Sequence, residues 1–160
     1  MSVLESAGGF ESGVFETNSE QETIELGRRI AASLRRRAVI LLIGNLGAGK
    51  TTLAKGIVSG LGAAESDEVS SPTFTLIHEY GTRECGGVVN RTSAYHIDLY
   101  RLDRAEQVAT LGLDEIFDRD AVVLIEWGER FPQLMPAARI EIRVTALDGD
   151  RRKIEVVNCE

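Results

Sequence analysis

Ala38 to Ile43 is an unbroken apolar run, AVILLI, and Ala121 to Ile125 is a second one, AVVLI. Neither alternates with polar residues, which is the pattern of parallel strands buried on both faces. Between them, Leu53, Ile57 and Leu61 recur at helical spacing from about Lys50, and Gly60 and Gly62 suit that helix's end. Leu26, Ile30 and Leu34 mark an earlier helix, opened by Ser19 and Glu22 at capping-box spacing and running to about Arg36. Arg35, Arg36 and Arg37 at its end complement the helix dipole, contact with RNA being the alternative. Gly13 to Thr17 reads as a short strand, as do Phe74 to Tyr80 and Ser93 to Tyr100, which flank a turn at Gly86-Gly87. Ser70-Ser71-Pro72 is a loop, because a residue before proline avoids the helical region.

Asp103 and Glu106 can cap a helix ending near Gly112, and Leu113 to Phe117 add a further turn. Pro132 and Pro136 break the chain. Arg139 to Thr145 and Lys153 to Val157 alternate around Asp148-Gly149, a β-hairpin signal. The sum is an α/β fold: a mixed sheet flanked by helices, with an antiparallel C-terminal hairpin. Residues 1–12, small and polar, read as a flexible tail, and residues 13–160 as a single domain.

Composition narrows the function. The 160 residues carry 25 acids against 18 lysines and arginines, a net charge of -7. That balance disfavours autonomous binding to nucleic acid, whose phosphates would need a local basic patch. Cys85 and Cys159 have neither disulfide nor metal-ligand spacing. No apolar run approaches the roughly 20 residues that span a bilayer. The N-terminus has no apolar core of a secretory signal. A soluble cytoplasmic protein without membrane partners is expected.

One segment carries explicit chemistry. Gly44-Asn45-Leu46-Gly47-Ala48-Gly49-Lys50-Thr51 matches the P-loop in full, between a buried strand and an amphipathic helix. Its glycines admit positive φ and let backbone N–H groups approach phosphate. The next helix aims its positive end at the same anion. Lys50 supplies a charge for the β- and γ-phosphates, Thr51 a hydroxyl for Mg²⁺, and Thr52 is placed to reach the α-phosphate. ATP and Mg²⁺ are the expected ligands, and the fold becomes P-loop NTPase-like.

Such a site needs an additional acid at the end of a neighbouring strand. Glu126 directly follows an apolar strand and should emerge at the sheet's C-terminal edge, where ligands bind in open α/β folds. Asp98 closes His96-Ile97-Asp98, though it could equally start a turn. On a strand, His96, Asp98 and Tyr100 would share one face, either orienting water or phosphate or simply polar. Trp127 packs beside the nucleotide or in the core, the residue pattern leaving both open. Thr73 and Thr75 follow Pro72 in a loop able to close over a γ-phosphate or to bond local backbone.

Together these motifs resemble one family. Val69-x-Ser71-Pro72-Thr73-Phe74, His96-Ile97-Asp98-Leu99-Tyr100-Arg101-Leu102 and Ile125-Glu126-Trp127, in that order behind the P-loop, look like the TsaE family. These are small bacterial ATPases of tRNA threonylcarbamoyladenosine synthesis. The resemblance runs from about residue 17 to the C-terminal hairpin. It implies work with TsaD and TsaB, which transfer a threonylcarbamoyl group to the adenosine beside the anticodon, so that tRNA is met only through that complex. It implies that Thr51 and Glu126 hold Mg²⁺, that Asp98 and Trp127 belong to the active site, and that Ser71, Pro72 and Thr73 form a switch-like loop. It also implies that Ser19 and Glu20, with Arg151 or Arg152, flank the base. The chain departs from the family at Asn45, usually aspartate, and at Gly128, usually proline.

The expected activity is Mg²⁺-dependent ATP hydrolysis, slow without partners, that regulates or resets the complex. Water attacks the γ-phosphate, Lys50, Mg²⁺ and loop amides stabilise charge, and Asp98 or Glu126 positions the water. The rivals are a small-molecule kinase, for which no lid segment is evident, and a non-catalytic nucleotide-gated subunit.

Overall fold

Hydrophobic pattern translates directly into layers. The computed structural model describes residues 12–72, 75–81, 84–85, 88–89 and 93–159. Strands are β1 (Gly13–Thr17), β2 (Ala38–Ile43), β3 (Ile77–Tyr80), β4 (Glu84–Cys85), β5 (Val88–Val89), β6 (Ser93–Asp98), β7 (Ala121–Glu126), β8 (Arg139–Ala146) and β9 (Arg152–Cys159). Helices are α1 (Glu20–Ser33), α2 (Lys50–Gly60), α3 (Ala105–Ala109) and α4 (Leu113–Phe117). The main sheet has seven strands in the order β1-β9-β8-β2-β7-β6-β3. Strands β8, β2, β7 and β6 run parallel, while β9 and β3 are antiparallel to their neighbours. The mixed sheet and C-terminal hairpin are therefore as the sequence pattern indicates.

Every residue of β2 and β7 is buried, because helices cover both sheet faces there. On one face, Ile40, Leu42, Val122 and Leu124 pack under Leu26 and Ile30 of α1 and Leu53 and Ile57 of α2. On the other, Leu41, Val123 and Ile125 meet Val108, Leu113 and Ile116. Each such side chain contributes about 1.5–3 kcal/mol by burial. Helices α1 and α2 touch through glycines. A Cβ on Gly56 would lie 2.1 Å from the Ile24 carbonyl oxygen, and one on Gly27 would lie 2.7 Å from that of Leu53. This contact seats the start of α2, and so the P-loop, against the sheet.

Several element ends differ from expectation. Helix α1 stops at Ser33, not near Arg36, because Leu34 turns extended (φ -79°, ψ 148°) and packs against the core. The arginines therefore follow the helix: Arg37 pairs with Asp118 at 3.1 Å and Arg36 with Asp120 at 3.8 Å. The Ser19 hydroxyl accepts from the Glu22 N–H as a cap should, but the Glu22 carboxylate reaches the N–H of Asn18. Helix α3 is capped through Gln107, whose side chain accepts from the N–H groups of Asp103 and Arg104, not through Asp103 and Glu106. Strand β3 begins at Ile77, since Leu76 adopts φ 72° and its N–H closes a turn onto the Pro72 carbonyl. Phe74 lies outside the described residues, as does the tail apart from Ser12. Among the described residues, no helix is long and apolar enough to cross a membrane.

Candidate functional site

Strand β2 ends at Ile43, and the chain turns through the P-loop into α2. Gly47 (φ 78°) and Gly49 (φ 111°) occupy the left-handed region, where a side chain would be strained. Gly44 is required by space, since a Cβ there would lie 2.5 Å from the Val144 carbonyl oxygen of β8. The loop is thus held by β8 as well as by its own turns.

A cleft of about 470 Å³ opens at the C-terminal edge of the parallel strands. It is lined by Leu46, Gly47, Gly49, Lys50, Thr51 and Thr52 from the loop and α2, and by Asp98 and Glu126 from the ends of β6 and β7. Ser71, Tyr100, Trp127, Glu20 and Arg152 complete it. A larger cavity, about 610 Å³, lies at the opposite sheet edge among Arg37, Gln133, Met135 and Arg139. It has no phosphate loop, and it is the smaller cleft that sits where open α/β sheets bind ligands.

Lys50 is buried, its Nζ donating to the Gly44 carbonyl at 2.7 Å and standing 3.9 Å from the centre of the Trp127 ring. Burial lowers the ammonium's pKa, opposed by the charges of Glu126, Glu129 and Asp98. Asp98 and Glu126 are register partners on adjacent parallel strands, both 3% exposed. The Ser71 hydroxyl donates to Asp98 Oδ2 at 2.8 Å, and the Tyr100 N–H donates to Oδ1 at 2.9 Å. The first of these ties the Ser71–Pro72 segment to the strand end. Thr73 lies outside the described residues. The second turns the chain after Asp98, so Tyr100 leaves the strand face shared by His96 and Asp98.

Trp127 is a cleft residue held from several sides. Its backbone is left-handed (φ 68°), costing about 1–3 kcal/mol for a bulky residue. The Tyr100 ring sits 5.3 Å from it, and the Arg130 guanidinium stacks 5.5 Å away. Arg130 also donates to the carbonyls of Leu99, Tyr100 and Leu102, fastening the turn after Asp98 to the turn after Glu126. Gly128 fits because Met135 Sδ lies 2.9 Å from where its Cβ would be.

Some expected residues move. Arg151 does not reach the cleft: it pairs with Asp148 at 2.6 Å and Glu16 at 3.1 Å. Arg152 lines the cleft instead, beside Gly49. The reason is strand parity, since Arg152 shares a face of β9 with buried Ile154 and Val156. Asn45 and Ala48 line a neighbouring cavity of about 340 Å³ with Arg143 and Thr145, not the main cleft. Glu20 is in place at the cleft's rim.

Glu129 and Arg130 are additions beside the site, and His96 gains a defined contact there. Glu129 is half-buried, its Oε1 has no hydrogen-bond partner among the described residues, and burial raises its carboxyl pKa against its own backbone N–H and the charges of Lys50, Arg130 and Arg143. A raised folded-state pKa means that stability is lost as pH rises above the ordinary value of 4.5 through the folded one. Glu129→Gln should therefore stabilise the fold at pH 7, with the gain vanishing below the ordinary carboxylate range. Urea midpoints at both pH values check this. A loss at pH 7 would mean that attraction to the cations outweighs desolvation.

The donor set suits a nucleotide and a hard cation. Among the described residues, no cluster of three or more His, Cys, Asp or Glu is placed to cage a metal. Mg²⁺ does not need one: it binds through one or two carboxylates, waters and substrate phosphates. Thr51 and the Glu126 and Asp98 carboxylates offer those oxygens beside the loop.

Comparison with known proteins places the chain in context. Residues 17–154 match the family model described as threonylcarbamoyl adenosine biosynthesis protein TsaE. The tRNA threonylcarbamoyladenosine biosynthesis protein TsaE of Rickettsia bellii is 36% identical over 141 residues, 88% of this chain and 92% of that one. The Bacillus subtilis protein of the same name is 37% identical over 140 residues, 88% of this chain and 82% of that one. The crystal structure of YdiB from Bacillus subtilis superposes with a TM-score of 0.72 at 30% identity, covering 94% of this chain and 87% of that one.

Proposed function

The chain belongs to the TsaE family of threonylcarbamoyl adenosine biosynthesis proteins, and from that premise we propose that it is a Mg²⁺-dependent ATPase that regulates or resets a TsaD–TsaB threonylcarbamoyl-transfer complex. One observation carries the reading: the P-loop lysine and threonine share a cleft with two carboxylates from adjacent strand ends.

ATP lies with its phosphates against the loop amides and the N-terminus of α2. Lys50 leaves the Gly44 carbonyl for the β- and γ-phosphates. Mg²⁺, when bound, neutralises developing charge on the phosphates, and Thr51 and Glu126 hold it. Asp98, with one oxygen on the Ser71 hydroxyl and the other on the Tyr100 N–H, is fixed at the cleft to orient water. Glu20 and Arg152 flank the nucleoside end.

The Ser71–Asp98 hydrogen bond supports a coupling to partners. A γ-phosphate that engages Asp98 or this loop alters the surface the loop offers, as in other P-loop switches. Expected results are slow hydrolysis alone, stimulation by TsaD and TsaB, and association that differs among ATP, ADP and a non-hydrolysable analogue. Co-elution and phosphate release test this. Equal association with all three nucleotides and unchanged hydrolysis would contradict nucleotide-gated partnership and direct attention to a kinase acceptor.

A further inference from the structure

His96 is fully buried in β6, on the face it shares with Asp98. Its register partner on β7 is Leu124, so Glu126 is its diagonal neighbour, and the imidazole bridges that diagonal. Nε2 lies 2.7 Å from Glu126 Oε2, while Nδ1 is buried without a hydrogen-bond partner among the described residues. The tautomer follows. A carboxylate accepts only, so Nε2 carries the hydrogen, and a hydrogen on Nδ1 would be an orphan donor in the core. Among the described residues the ring therefore has a single hydrogen bond, and it is with the acid that faces the cleft beside Lys50 and Thr51.

We propose that His96 is a positioning residue for the cation: its Nε2–H fixes the Glu126 carboxylate through Oε2, leaving the other oxygen for Mg²⁺. This rests on the Mg²⁺–nucleotide reading of the cleft. Glu126 emerges from a strand end between the loop and Asp98, with the Lys50 ammonium drawing on it. Without the imidazole, its side chain turns towards that charge, and the metal has to reorient it. Partners behind a metal ligand are worth about 10- to 100-fold in metal affinity.

The test is calorimetric titration of the full chain with ADP, at stepped Mg²⁺ and in EDTA. The unaltered protein should bind ADP more tightly as Mg²⁺ rises. His96→Leu and His96→Asn should keep ADP affinity in EDTA yet need at least about tenfold more Mg²⁺ for the same gain. His96→Gln, whose amide reaches the position of Nε2, should restore most of it, whereas the shorter Asn amide should not. If His96→Leu does not fold, the Gln and Asn pair decides. Wild-type Mg²⁺ dependence in the Asn variant, or a Gln variant as impaired as Asn, overturns the role of His96. An unaltered protein that ignores Mg²⁺ overturns the Mg²⁺–nucleotide reading, and this role with it.

Discussion

Lys50→Ala should weaken ATP binding by more than about a hundredfold, measured by calorimetry or a fluorescent nucleotide. The side chain is already at the loop's mouth, held on the Gly44 carbonyl and over the Trp127 ring. Its removal takes away the cation aimed at the phosphates and leaves the charges of Glu126, Glu129 and Asp98, which it opposes, to repel them. Because these acids remain near the loop, the loss should exceed that of one charge-assisted hydrogen bond. Unchanged affinity and turnover would contradict the P-loop reading.

Glu126→Gln should keep the fold and nucleotide binding in EDTA, yet lose Mg²⁺-dependent hydrolysis by about a hundredfold or more. The Gln carbonyl can still accept from His96 Nε2–H, so the buried partner is not orphaned. What disappears is the negative charge for the metal. Full-rate hydrolysis would transfer the role to Asp98, and full rate in Asp98→Asn as well would show that neither acid is needed.

The P-loop was legible because its chemistry demands particular residue types: glycines where φ is positive, then lysine and threonine at the head of a helix. Glu126 was legible because an acid after four apolar residues marks where a buried strand surfaces. The choice of Arg152 over Arg151 follows from strand parity, since Ile154 and Val156 set the buried face of β9 and Arg152 lies on their side. Periodicity carries no such signal for Glu129 and Arg130. They sit in a single 3₁₀ turn, Gly128–Arg130, that exists because Trp127 turns left-handed. The His96–Glu126 bond spans two strands diagonally, and only the register of β6 against β7 reveals it. Helix ends depart from periodicity where tertiary packing decides, as at Leu34, which leaves α1 to pack against the core.

Phosphate release from ATP by the purified chain, measured over a single turnover with Mg²⁺ and again in EDTA, tests the central claim most directly. The predicted result is slow release with Mg²⁺, none above background in EDTA, and none with Mg²⁺ for Lys50→Ala. Release that is equal with and without Mg²⁺, or that survives in Lys50→Ala, would contradict it.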